Sequence, residues 1–274
     1  MKKSTATILK YSLISGLFSM LLISGQALAS DLPSGDEIAA QINKRDEGNA
    51  VSRNLLMEMT DNRGKKRTRD TRSFRKYYGE EKRTVLFYLS PSSVKDTGFL
   101  TFDYPQVGRD DDQWLYLPAM RKVRRISASN RGDYFLGTDF TYEDIKKESK
   151  VSIEDYTRTT LREELLDGVR TYVIESVPVN EDTAKELGYG RIVQWVDADI
   201  WMVRKAEYQD VRGNALKTIY TRDIRQVQDI WTSHRLQATN HKTGHKTLFT
   251  FSDVDYQSGV KDSLFSQRTL KRGM

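Results

Sequence analysis

From residue 50 onward, hydrophobic positions recur with a period of two. Leu55, Met57 and Met59 share one face of a strand that ends at the turn Asn62-Arg63-Gly64. The next stretch, 66–77, is punctuated by Arg67, Arg69, Arg72 and Arg75, so at least one face of that strand meets water. Further strands are predicted at 83–89, 99–104 and 113–117, with Gly108 to Asp112 as a polar turn. Asp167-Gly168, flanked by 157–166 and 169–177, is a two-residue hairpin signal. The segments 191–197, 200–208, 215–225, 232–240 and 245–252 complete the series, the last two joined through Lys242-Thr243-Gly244.

Helical signals are few. Ser34-Gly35-Asp36-Glu37 is a capping-box pattern, and Ile38 and Ile42 then share one face of a helix over 35–47. A second short helix is predicted at 181–187. Parallel βαβ units need a helix between strands, and those helices are missing here. The pattern predicts a mainly β chain: one antiparallel domain over 30–274 with about 10–11 strands.

The first 29 residues read differently. Lys2 and Lys3 precede an apolar stretch from Ile8 to Ile23, and Ala27-Leu28-Ala29 follows. This is the order of a secretory signal peptide cleaved after Ala29, and it predicts an exported, periplasmic protein of a Gram-negative cell. A membrane anchor is the alternative, but the stretch carries Lys10 and is short for a span of about 20 residues.

Composition narrows the chemistry. With 28 aromatic residues the chain can bury a core, and with no cysteine it has no thiolate chemistry or disulfide framework. The formal charge is +6, and losing Lys2, Lys3 and Lys10 would leave 41 basic against 38 acidic side chains, or +3. That is a mixed-charge surface rather than a nucleic-acid binder. The G-x-G-x-x-G, G-x-x-x-x-G-K-[ST], H-E-x-x-H and G-x-S-x-G patterns are absent from the sequence. His234, His241 and His245 cluster in the last hairpin region, where two imidazoles would lack a third metal ligand. Asp110-Asp111-Asp112 reads as a solvated turn, Glu163 and Glu164 point to opposite faces, and Asp253 with Asp255 has no basic partner motif. No catalytic residue, metal site or cofactor is expected.

Two stretches depart from a plain β-domain. Trp114 to Leu117 runs into Arg121, Lys122, Arg124 and Arg125, and residues 132–145 form an aromatic-rich loop with glycines at 132 and 137. The phrases YLPAMRKVRRI and LGTDFTYEDI, with KRDEG and LLDGVRTYVIESVP in support, resemble the exported outer membrane lipoprotein-sorting protein family, a LolA-like group. The likeness covers most of 34–274. It implies a half-open antiparallel β-barrel with short helices as a lid over an apolar cavity. It further implies a non-enzymatic carrier of lipid or lipoprotein acyl chains, working with an inner-membrane transporter of the resistance-nodulation-division type.

The residues suggest where such cargo would sit. Met57, Met59, Phe87, Leu89, Leu100, Phe102, Trp114 and Tyr116 are expected to line one concavity, since Met and aromatic side chains adapt to acyl chains. Arg121, Arg124 and Arg125, with Phe135, Phe140 and Tyr142, are expected at its rim, facing headgroups or a partner. The basic run can equally guard a sheet edge. An envelope enzyme acting on glycan or lipid, and an adaptor docking a transporter, are the alternatives. A monomer is expected.

Overall fold

A computed structural model describes residues 32–106 and 109–274. The signal-peptide stretch, the cleavage point after Ala29, and Gly108 of the predicted turn lie outside these residues. Among the described residues, thirteen strands form one sheet. The first six cross it in chain order: β1 (Ala50–Thr60), β2 (Lys66–Tyr78), β3 (Glu81–Ser90), β4 (Gly98–Asp103), β5 (Asp112–Leu117) and β6 (Lys122–Ile126). The chain then leaves the sheet for residues 127–155. It re-enters at the opposite edge as β7 (Tyr156–Leu166), β8 (Val169–Pro178), β9 (Arg191–Asp197), β10 (Val203–Gln209), β11 (Ala215–Val227), β12 (Ile230–Asn240) and β13 (Lys246–Asp255). β13 pairs with β1, while the edge strands β6 and β7 do not pair with each other, so the barrel is half open.

The sheet has thirteen strands where the spacing predicts ten or eleven. β6 contributes to the difference: Lys-Val-Arg-Arg-Ile carries too little apolar surface to announce itself, and as an edge strand it has one neighbour. Its charge suits an edge that must not recruit another strand.

Register sorts the side chains onto two faces, because directly opposed residues point the same way. Leu55 opposes Phe251 and Thr71, and Leu86 opposes Phe99, which opposes Leu115. These side chains form the inner face. Val85 opposes Leu100, which opposes Trp114, and these form the outer face. Residues 260–272, including the short helix α4 (Gln267–Arg272), cover that outer face with Val260, Leu264, Phe265 and Leu270. Leu270 comes so near the sheet that a Cβ on Gly98 would lie 2.6 Å from its Cδ1, so a side chain there would push Leu270 out of place.

Two pieces fill parts of the inner face. Helix α1 (Gly35–Lys44) starts with the expected capping box, Ser34 Oγ accepting from the Glu37 amide and Glu37 accepting from the Ser34 amide. Its Ile38 and Ile42 pack on Ile174 and Val196. The 127–155 crossover is the second piece. Its phrase Thr141-Tyr-Glu-Asp144 is itself a capping box, and it starts helix α2 (Tyr142–Lys147) where the sequence predicts only a loop. Helix α3 (Glu181–Leu187) matches its predicted span and packs beside the crossover. Among the described residues, no helix is long and apolar enough to cross a membrane.

Candidate functional site: an inner cavity with a buried charge row

Between the inner face, the segment that follows α1 (Arg45 and Glu47) and the crossover lies a cavity of about 200 Å³. Leu55, Leu86, Phe99, Ile219, Phe249 and Phe251 make much of its apolar wall, and Phe140 of the crossover stacks on Phe249 at 4.3 Å. A more polar recess of about 970 Å³ shares Arg45, Glu47, Glu143, Lys147, Lys150, Val151 and Ser152 with the cavity, and so adjoins it.

The crossover is held down by buried polar contacts. Lys217 Nζ on β11 donates to Asp144 at 2.5 Å and to the Tyr189 hydroxyl at 2.7 Å. Burial lowers the Lys217 pKa, and the Asp144 carboxylate opposes that shift. Asp139 accepts from Thr247 Oγ1 at 2.7 Å and lies 2.6 Å from His245 Nδ1. Asn240 donates to the Tyr134 hydroxyl at 2.9 Å. The histidines are thus spread over separate tasks: His234 meets the Asp223 carbonyl and His241 the Thr218 hydroxyl.

Along another wall runs a row of charges. Arg53 clasps Glu148 with two bonds of 2.7 and 2.6 Å, and its guanidinium sits 4.3 Å from the centre of the Phe251 ring. Arg75 pairs with Glu47 at 2.9 Å, and Arg45 lies 3.8 Å from the same carboxylate. Lys150 donates to the carbonyls of Asn43 and Arg45 at 2.6 and 2.9 Å. Tyr77 and Ser149 hydroxyls also donate to Glu47. Burial disfavours the charged form of Glu47, yet Arg75, Lys82 and Lys150 hold its pKa well below the usual carboxylate range. Glu148 is likewise held down by Arg53 against the cost of burial.

The expected lining does not gather at this cavity. Of the eight apolar positions, Met57 and Met59 are buried, and Met57 belongs to the inner core. Phe87, Leu100, Phe102, Trp114 and Tyr116 pack on the outer face beneath α4, and Leu89 is 43% exposed. The reason is register: β3 is apolar on both faces, and the outer set is covered by a C-terminal segment whose packing the strand pattern does not reveal. None of the eight lines the cavity.

The expected rim also divides. Phe135, Phe140 and Tyr142 are buried, with Phe135 packed edge-on against Phe99 at 5.0 Å, because the crossover folds into the concavity instead of skirting it. Arg121, Arg124 and Arg125 are exposed at the β6 edge, outside the cavity lining, and Arg125 pairs with Asp112 at 2.6 Å.

The candidate acidic clusters are engaged elsewhere. Asp111 pairs with Lys146, Asp112 accepts from the Tyr104 hydroxyl at 2.9 Å, and Glu163 lies 3.5 Å from Arg170. Sequence reasoning missed Arg45, Glu47, Arg53, Arg75 and Glu148. One signal was present: Arg53 lies in phase with Leu55, Met57 and Met59, a charge on the buried face of β1.

A family model described as an uncharacterized protein matches residues 80–272. Among solved structures, a DUF1329 family protein from Desulfovibrio piger is 28% identical, with a TM-score of 0.79 over 86% of this chain and 97% of its own. A domain assigned to outer membrane lipoprotein sorting, from Vibrio parahaemolyticus, is 33% identical, with a TM-score of 0.78 over 87% of this chain and 98% of its own. A LolA superfamily protein from Nitrosomonas europaea is 19% identical and shares the fold, with a TM-score of 0.65 over 86% of this chain and 99% of its own. No curated protein matches. The chain belongs to the outer membrane lipoprotein-sorting protein family and has a LolA-like fold.

Proposed function

We propose that the protein is a non-enzymatic periplasmic carrier that shelters the acyl chains of a lipid or lipoprotein on the way to the outer membrane. The observation that carries this reading is the apolar cavity between the inner face and the crossover, walled by Leu55, Leu86, Phe249 and Phe251. Burying an acyl chain contributes about 0.8 kcal/mol per CH₂, so affinity needs no catalytic group. The lipoprotein-sorting assignment of the Vibrio parahaemolyticus relative supports the same reading. The crossover acts as the lid: its Phe140 closes one wall, and its polar contacts to β11 and β13 are local enough to part when cargo enters. The exposed basic edge at Arg121, Arg124 and Arg125 is the surface through which it meets headgroups or an inner-membrane transporter.

Native mass spectrometry of protein purified from its own envelope tests the carrier role. Bound species of lipid mass, released by denaturation, are expected. Protein that is empty from every envelope fraction, and that takes up no lipid on mixing with vesicles, would contradict the proposal.

A further inference from the structure

The charge row does not balance. The cavity is lined by six basic side chains (Arg45, Arg53, Arg75, Lys147, Lys150 and Arg158) and four acidic ones (Glu47, Glu143, Asp144 and Glu148), an excess of two positive charges. The side chains of Arg45, Arg53 and Arg75 are 7, 10 and 6% exposed, so water is poorly placed to offset it. Each of the three also keeps a buried Nε–H with no hydrogen-bond partner, as do Arg131 and Arg158. Buried donors are satisfied in the great majority of cases, so these guanidinium groups are short of acceptors where they line the cavity. Lys150 registers the same surplus: burial lowers its pKa, and Arg45, Lys82 and Arg75 add to the effect while Glu47 opposes it.

We propose that the cavity binds an anionic amphiphile, its phosphate or carboxylate headgroup beside the guanidinium groups of Arg45, Arg53 and Arg75 and its chain against Leu55, Phe249 and Phe251. This rests on the carrier reading and adds the class of cargo. The chemistry is specific to Arg. Glu47 and Glu148 occupy the outer nitrogens of Arg75 and Arg53 and hold each planar guanidinium in place on the cavity wall. The apolar wall begins at once, because Phe251 lies under the Arg53 guanidinium. A headgroup bound there would have its chain directed along Phe251 and Phe249.

The test uses fluorescence of cis-parinaric acid and of its methyl ester, bound to the mature protein at neutral pH. The acid should bind at least 10-fold more tightly than the ester. Arg53→Lys and Arg75→Lys keep the charge that Glu148 and Glu47 need but remove the planar guanidinium, and each should cut that preference several-fold. Ester binding should stay unchanged in both, which also shows that the cavity is intact. Equal affinity of the wild type for acid and ester would overturn the headgroup assignment and leave the carrier reading standing. Binding of neither probe would contradict the carrier reading itself. Displacement of the acid by inorganic phosphate as readily as by oleate would also overturn the proposal, since a free anion would then suffice.

Discussion

Arg53 on β1 and Glu148 at the end of α2 face each other as a two-pronged ion pair, tying the sheet to the crossover at the cavity wall. Glu148 holds a backbone φ of 51°, a conformation that L residues seldom adopt, so the pair also fixes how α2 ends. A buried pair of this kind need not add net stability, but breaking it strands a charge.

Arg53→Ala should therefore cost about 3–5 kcal/mol by leaving Glu148 unpaired. The double variant Arg53→Ala/Glu148→Ala should lose clearly less than the sum of the two single variants. Urea unfolding of the four proteins measures this, and additive losses would mean the two groups do not act as a pair.

Acid should weaken the fold through the same row. Glu47 and Glu148 have folded pKa values below the ordinary 4.5. Their contribution is thus complete above that value and is lost as pH falls through the folded pKa. Stability to urea should hold from pH 7 to about 5.5 and decline below pH 4.5. In Glu47→Gln the decline should be shallower, and an identical acid profile would remove Glu47 from the account.

The crossover should loosen when its buried lysine is removed. Lys217→Met leaves Asp144 without its cation and the Tyr189 hydroxyl without that donor. A hydrogen bond to a charged group is worth about 1.5–3 kcal/mol, or roughly 10- to 100-fold in the opening equilibrium. Amide exchange over 135–147 should accelerate by that factor while β1 and β13 stay protected. Unchanged exchange there would show that the segment is held by its aromatic packing alone.

Stability and binding should separate across the sheet. Phe87→Ala or Leu270→Ala opens a hole on the outer face and should cost about 2–5 kcal/mol. Neither residue lines the cavity, so probe binding by the folded fraction should not change. Loss of binding at full folding would move the cargo site to the outer face.

These contrasts follow what a sequence can and cannot express. Period two made the strands legible, and Ser34 and Glu37 announced α1, because both are local signals. Which face of β3 looks inward is a different matter: Leu86 and Phe87 are both buried, one under the crossover and the other under Phe265 and Leu270. Only long-range packing decides between them. The aromatic phrase Phe135 to Tyr142 drew notice in the sequence, but its role as a filling of the concavity depends on partners 78 to 108 residues away, such as Lys217, His245 and Thr247. Arg75 was hidden for a related reason. Among Arg67, Arg69 and Arg72 it reads as one more solvated charge, and it is the pairing with Glu47 that takes it inside.

The central claim is that cargo lies against the inner face, between the sheet and the crossover. Photolabelling with a diazirine-bearing fatty acid, followed by peptide mass spectrometry, tests it most directly. The account predicts adducts on peptides containing Leu55, Phe249 and Phe251 and on the 140–150 stretch, lost in competition with oleate. Adducts confined to the outer face around Phe87, Trp114 and residues 260–272, or to the β6 edge, would contradict it.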